Sequence, residues 1–408
     1  MKRMKSQKRS LQNYVQKDLQ SKMVLLSGPR QSGKTTFARQ FLKENDGAYY
    51  NYDNDHDRSV LQKSQLPAGK KLWIFDEIHK NPRWRNWLKG IYDQHHEEHS
   101  ILVTGSAKLD IYSRGGDSLQ GRYFFYRFHP LTLGELCQSY PSMTNPEEIL
   151  QNLNSSDQFT DKYKNKAISY LDQLIQFGPF PEPFFQADTT FANRWRLLYS
   201  RRVIREDLRD LEKVSDLSRL ELLYDRLPAL VGSVLSLNSL REDLEVSHDS
   251  VKRWIEIFDR LFLTYRISPF GPVKIKSVKK EQKLFMMDWG LCEDTGARLE
   301  NLVANHLLRL THWCEDVLGV ASDLRFFRNT DRKEVDFVVL KKKSPWFCVE
   351  VKSKQQSISP HLRYLMERTS LKQGFQVHLQ GDSDYNEKLS NGAVIRCMPL
   401  WKFLLALP

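Results

Sequence analysis

The chain has 408 residues, 40% of them hydrophobic and 27% charged, with a formal net charge of +12. That length accommodates two or three domains with real cores, and the positive surplus favours acidic partners, nucleic acid among them. No window approaches the roughly eighteen uninterrupted apolar residues of a membrane span, and the basic opening MKRMKSQKRSLQNYVQ has no apolar run behind it, so neither a span nor a signal peptide is expected. The cysteines, Cys137, Cys292, Cys314, Cys348 and Cys397, are scattered without a C-x-x-C pair, which argues against a disulfide framework or a zinc site and fits a reducing cytoplasm.

In chain order, the first strong signal is VLLSGPRQSGKTT at residues 24–36, an apolar strand running into a P-loop. Gly28 and Gly33 let consecutive backbone N–H groups turn inward at phosphate oxygens. Lys34 can then reach the β- and γ-phosphates, and the Thr35 hydroxyl can take a place on Mg²⁺. The helix opening near Lys34 directs its positive end at the same anion. The expected binding segment for a nucleoside triphosphate is therefore Gly28, Pro29, Arg30, Gln31, Ser32, Gly33, Lys34, Thr35 and Thr36.

A second apolar strand, KLWIF at 71–75, ends in Asp76-Glu77. An Asp at the carboxyl end of a parallel strand beside the P-loop strand can hold Mg²⁺ through water. Glu77 can orient and deprotonate the attacking water. In isolation such a pair commonly caps a turn; following a P-loop, it reads as catalytic. The strand at 100–103 runs into Thr104-Gly105-Ser106, and a hydroxyl there would sit between the P-loop and acidic strands and sense the γ-phosphate. Either Thr104 or Ser106 could serve, with Ser106 favoured. Strands at 48–52, 71–75 and 100–103 alternate with helical segments such as 84–95, which predicts an α/β fold: a parallel sheet covered on both faces, with ligands at its carboxyl ends.

The segments GPRQSGKTT, YNYDNDHDR, IFDEIHKNPRWRNWLKGIYD and ILVTGSAKLDIYSRGGDSLQGRYFFYRFHPLTLGE together resemble one family of AAA-type ATPases of archaea and bacteria. The similarity covers nearly all of residues 10–137 and continues more weakly to the C-terminus. It implies an AAA+ core that binds ATP and Mg²⁺, a homo-oligomer, and a site completed by an arginine of a neighbouring subunit. Arg122, in GGDSLQGR, is the first candidate and Arg114 the second. Such an arginine would neutralise charge developing on the γ-phosphoryl oxygens; the same residue could equally be a surface salt-bridge partner.

Beyond the core (1–137), a helical linker (138–215) is expected, with polar residues 142–161 as a loop excursion. KAISYLDQLIQFG and NRWRLLYSRRVIREDLRDLEKV read as helices, and the break FGPFPEPFF, with Pro179, Pro181 and Pro183, as non-helical. Arg201, Arg202 and Arg205 could meet phosphate, but Glu206, Asp207 and Asp210 balance them as a solvated face. A winged helix is expected over 216–290. LNSLREDL and HDSVKRWIEIFDRL form a helix-turn-helix with Val251, Trp254, Ile255 and Phe258 on one face. A hairpin wing carrying Lys274, Lys276, Lys279, Lys280 and Lys283 follows it. Helix and basic wing together fit a DNA backbone, or else a protein partner.

Residues 291–408 read as a restriction-endonuclease-like α/β domain. In DRKEVDFVVLKKKSPWFCVEVKS two strands join through a turn at 342–345. Alternation puts Glu334, Asp336 and Val338 on one face and Val335, Phe337 and Val339 on the other, while Glu350 and Lys352 share a face of the partner strand. GARLENLVANHLLRL is an amphipathic helix with Glu300 at the edge of its apolar stripe. Asp336, Glu350 and Lys352 resemble the PD-(D/E)-x-K core, in which the acids, here with Glu300, hold Mg²⁺ and the lysine assists the attacking water. A charged hairpin in which Lys352 pairs with Glu350 is the plainer alternative. The sequence as a whole reads as an oligomeric, cytoplasmic, Mg²⁺-dependent ATPase acting on DNA, with a tail that either cleaves phosphodiesters or binds nucleic acid or protein as part of an ATP switch.

Overall fold

The computed structural model describes residues 7–106, 119–139, 145–155, 160–207, 216–271 and 281–408. The chain divides into two compact units, residues 1–130 with 260–262 and residues 131–259 with 263–408.

The first unit runs α1 (Gln12–Asp18), β1 (Met23–Ser27), α2 (Lys34–Glu44), β2 (Gly47–Asn51), α3 (Asp55–Gln62), β3 (Leu72–Asp76), α4 (Trp84–His95), β4 (Ser100–Gly105) and β5 (Tyr123–Arg127). Its strands make one parallel sheet in the order β2-β3-β4-β1-β5. Helices cover it, so β1 and β3 are buried along their whole length and read as continuous apolar runs. One core joins Trp73, Phe75, Ile101 and Val103 to Trp84, Leu88 and Ile91 of α4. The strand that carries Thr104, β4, lies between the P-loop strand β1 and the acidic strand β3, as expected of it, so β3 is one strand removed from β1 rather than directly beside it. That order sets Asp76 opposite Thr104 on one side and Asn51 on the other.

The second unit opens with helices α5 (Leu133–Cys137), α6 (Pro146–Asn154), α7 (Thr160–Phe177), α8 (Pro181–Gln186), α9 (Thr189–Arg202), α10 (Leu217–Arg226), α11 (Leu237–Leu244) and α12 (His248–Arg260). Two expectations fail here. Residues 142–161 are not simply a loop: α6 starts on the Asn145 side chain, which accepts from the Glu148 N–H at 3.1 Å, and buries Ile149 and Leu153. The proline-rich break contains α8, since Pro181 and Pro183 fall in its first turn, where a helix needs no N–H. The arginine cluster is a solvated face as expected, with Arg205 paired to Glu221 at 2.7 Å and Arg202 to Glu206 at 3.9 Å. In α12, Val251, Trp254, Ile255 and Phe258 are buried, as the one-faced apolar pattern of that helix predicts.

There follow β6 (Thr264–Phe270), β7 (Lys283–Met286), α13 (Thr295–Asp316), β8 (Ser322–Arg328), β9 (Glu334–Lys341), β10 (Ser344–Lys354), α14 (Pro360–Glu367), β11 (Gln373–Gln380), β12 (Tyr385–Lys388), β13 (Val394–Pro399) and α15 (Leu400–Leu405). The strands form an eight-stranded sheet, β12-β13-β11-β10-β9-β8-β6-β7. Within it, β8, β9 and β10 are an antiparallel meander, and β11 returns parallel to β10 after α14. Lys342 and Lys343 make the β9–β10 turn with φ of 51° and 68°, the paired left-handed geometry of a tight hairpin.

The hairpin expected as a DNA-facing wing is built into this sheet: β6 pairs with β7 and runs parallel to β8. Lys274, Lys276, Lys279 and Lys280 lie outside the described residues. Lys283 corrects the wing reading, because it opens the apolar run of β7 and is 1% exposed. The simple alternation expected in β9 also breaks. Val338 pairs with Arg325 and Val335 with Phe327, so β9 carries one extra residue across Asp336 and Phe337. This bulge puts Val335 and Val338 in one core cluster with Leu362 and Leu365 of α14, and turns Phe337 to the other side, where its ring lies 5.9 Å from that of Phe285.

Candidate functional site

The glycine loop after β1 is held open by three features. Gly33 has φ 102°, a torsion that favours glycine. Gly28 is needed for space, since a Cβ there would meet the Phe128 carbonyl oxygen at 2.1 Å. The Ser32 hydroxyl, fully buried, donates to the Pro29 carbonyl at 2.8 Å. Arg9 straps the loop from outside: it donates to Ser32 O at 3.2 Å, His129 O at 2.6 Å and Pro130 O at 3.2 Å, with its guanidinium 4.1 Å from the centre of the Phe128 ring. Lys34 Nζ donates to the Gly28 and Pro29 carbonyls at 2.9 and 2.6 Å. Arg30 and Gln31 form the loop's outer turn, and Thr35 and Thr36 lie in the first turn of α2.

Asp76 gathers the site. It accepts from the Thr35 hydroxyl at 2.8 Å and the Tyr49 hydroxyl at 2.6 Å, and from Thr104 Oγ1 on its other oxygen. Glu77 follows in left-handed backbone, φ 58°. Its Oε2 is buried without a hydrogen-bond partner and lies 3.4 Å from His79 Nε2. Burial pushes its carboxyl up to about 7, against the opposing charge of Lys34. Of the two hydroxyls weighed as sensor, Thr104 is committed to Asp76, while Ser106 Oγ sits 3.4 Å from His79 Nε2. The Thr35–Asp76 pairing fits Mg²⁺: an oxygen pair at the mouth of a phosphate loop, with a carboxylate behind it.

Arg122 lies at the amino end of β5, beside Met23 at the start of β1, whereas the phosphate loop leaves the other end. Five residues of strand separate them, about 16 Å. Arg122 is held there by Asp93, at 2.6 and 3.1 Å, so it cannot serve its own chain's loop. Arg114 lies outside the described residues.

In the second unit, Lys352 Nζ pairs with Glu350 Oε1 at 2.7 Å, and Asp336 accepts from the Val351 N–H at 2.8 Å. Glu350 Oε2 is buried without a hydrogen-bond partner. Burial first, and then neighbouring carboxylates, raise Asp336 and Glu300; Glu350 is the neighbour acting on Asp336, and Asp336 the one acting on Glu300. Into this cluster projects Lys283, its Nζ 2.5 Å from Glu334 and 3.2 Å from Glu300. Among the described residues no three His, Cys, Asp or Glu side chains converge closely enough to hold a metal ion. With an ammonium already between the acids, the residues present do not fit a divalent ion here.

Residues 20–137 match the family model described as an AAA domain. This part of the chain is an AAA-type P-loop domain. Residues 168–300 and 295–403 each match a domain of unknown function. An uncharacterized protein of Methanocaldococcus jannaschii is 22% identical over 96% of this chain and 91% of its own length. An uncharacterized protein of Mycobacterium tuberculosis is 22% identical over 66% of this chain and 55% of its own. Among solved structures, a Walker-type ATPase of Pyrococcus abyssi is similar at 14% identity and a TM-score of 0.41, covering 70% of this chain and 94% of that one.

Three residues of the first unit escaped the sequence reading: Tyr49, His79 and Arg9. Tyr49 and Thr104 reach Asp76 only through sheet register, which no local spacing reveals. His79 stands two residues after Glu77, in the short 3₁₀ turn Ile78–Lys80, and its place in the motif DEIH was the available signal.

Proposed function

We propose that this protein is a Mg²⁺-dependent ATPase that works as a cytoplasmic homo-oligomer on DNA. The observation that carries the reading is the Thr35–Asp76 pair at the end of the phosphate loop, with the unpartnered Glu77 oxygen next in sequence. Thr35 and Asp76 are the residues that would hold Mg²⁺, which when bound offsets charge on the β- and γ-phosphates. Lys34 exchanges the Gly28 and Pro29 carbonyls for phosphate oxygens. Glu77 takes the proton of the attacking water, with its carboxylate beside His79. Ser106, beside His79, reports the γ-phosphate to the rest of the domain. Arg122 acts on the loop of a neighbouring subunit.

The net charge of +12 and the exposed Lys252 on α12, the second helix of the expected helix-turn-helix, support DNA as the partner. For the tail there are two readings. In one, Glu300, Asp336, Glu350 and Lys352 cleave phosphodiesters. In the other, the domain binds nucleic acid or a protein without cutting, as the output arm of an ATP switch. Lys283, lodged among those carboxylates, favours the second. The test is DNA binding and cleavage by the purified chain with and without ATP and Mg²⁺, across a salt series. Binding that weakens steeply with salt, without cleavage, is expected; binding indifferent to salt would remove DNA from the account.

A further inference from the structure

The carboxylate cluster of the second unit holds four acids within a few residues of one another in space. Glu300 comes from α13, Glu334 and Asp336 from β9, and Glu350 from β10. A cluster of that composition at low exposure needs positive charge. Lys283 supplies it from the far edge of the sheet. Its side chain is 2% exposed, and its Nζ reaches Glu334 Oε1 at 2.5 Å and Glu300 Oε1 at 3.2 Å. Its backbone is pinned on both sides, opposite Ile267 of β6 and bridged to Val234. The Phe326 ring lies 5.5 Å from Nζ.

Glu300 and Glu334 contact that ammonium, and Asp336 is near enough to feel its charge. Glu300 is backed by Gly232, at φ 78°, where a Cβ would come within 2.8 Å of its Oε2. Glu334 takes a second cation on its other oxygen, Arg328 at 3.8 Å. Glu350 is paired with Lys352. A divalent ion placed among Glu300, Asp336 and Glu350 would lie close to the buried Lys283 ammonium, and the two like charges would repel.

We propose that Lys283 is the resident cation of this cluster, occupying the place a divalent metal would take, so that the cluster binds no metal ion of its own. The lysine and the metal are then mutually exclusive occupants, and with the ammonium gone Glu300, Asp336 and Glu350 are free to draw together around an ion, which their present spacing does not hold. This goes beyond the DNA reading and is tested without DNA.

The experiment is Mn²⁺ binding to the full chain, free of nucleotide, read from the electron paramagnetic resonance signal of free Mn²⁺. Wild type, Asp336→Asn, Glu300→Gln, Lys283→Met and Lys283→Met with Asp336→Asn are compared, each shown to unfold cooperatively. The expected result is that neither Asp336→Asn nor Glu300→Gln lowers the Mn²⁺ bound by the wild type. Lys283→Met gains one ion per chain at least tenfold tighter than any wild-type site outside the phosphate loop, and the added Asp336→Asn removes it. A wild-type ion lost on Asp336→Asn or Glu300→Gln overturns the proposal, and so does a folded Lys283→Met that gains none. Should Lys283→Met not fold, the two single acid variants decide the matter alone.

Discussion

Replacing Gly28 by alanine adds one methyl group between the end of β1 and the chain leaving β5. The new carbon would stand 2.1 Å from the Phe128 carbonyl oxygen and 3.0 Å from its carbon, and both are backbone atoms that no side-chain rotation can move. The two strands must part by roughly 1 Å to regain an ordinary contact. Overpacking of this kind costs about 1–3 kcal/mol. Phe128 also donates its N–H to Ser27 O at 2.6 Å across the same gap, and losing that bond adds about 1 kcal/mol. The displacement falls on the loop itself, since Arg9 ties Ser32 to His129 and Pro130 on the segment leaving β5. Gly28→Ala is therefore expected to destabilise the AAA-type domain by about 2–4 kcal/mol and to weaken Mg²⁺-ATP binding at least tenfold, about 1.4 kcal/mol or more. Urea unfolding and isothermal titration with ATP and Mg²⁺ measure the two effects. A variant within about 0.5 kcal/mol of wild-type stability and with unchanged ATP affinity would refute the steric reasoning.

Two further outcomes concern the second unit. His306 is buried, with Nε2 accepting from the Leu133 N–H at 3.3 Å and Nδ1 beside Leu302 O at 2.8 Å; burial lowers its imidazole to about 4, below the ordinary 6.5. A base depressed in the folded state leaves stability intact above pH 6.5 and loses it as the pH falls from 6.5 toward 4. The loss is about 1.4 kcal/mol per pH unit at most. Urea unfolding from pH 7 to 4.5 should show a steeper decline for wild type than for His306→Gln, and parallel curves would contradict it. Arg309 and Glu135, 4% and 0% exposed, pair at 2.7 Å. Glu135→Ala takes this carboxylate from a buried guanidinium that keeps the Pro408 oxygen at 3.1 Å, and should cost about 3–5 kcal/mol by the same assay, whereas a cost near zero would show the pair to be dispensable.

What the sequence disclosed and what it concealed divide along a physical line. The phosphate loop and the Asp76-Glu77 step are local, since each needs only a strand end and its next few residues, and their places at the ends of β1 and β3 were legible at once. The partners of Asp76 come from β2 and β4, and sheet register rather than spacing brings Tyr49 and Thr104 to it. In the tail, alternation along 334–339 misplaced Val338 and Phe337, because a bulge inserts a residue that no periodicity shows. Lys283 looked like the last member of a basic run from Lys274 to Lys280. Its apolar successors, Leu284 to Met287, were the sign that it belonged inside. The helix α6 was masked by its polar surroundings, although Asn145-Pro146 followed by Glu147-Glu148 is a sound helix start.

The most direct test of the central claim is ATP turnover by wild type and Glu77→Gln, with Mg²⁺-ATP affinity measured on the same samples. The account predicts that wild type hydrolyses ATP only with Mg²⁺. Glu77→Gln should bind ATP within about threefold of wild type while its turnover falls by about 10²-fold or more, the usual worth of a general base. Normal turnover in Glu77→Gln, or a wild type that binds ATP and never hydrolyses it, would contradict the claim.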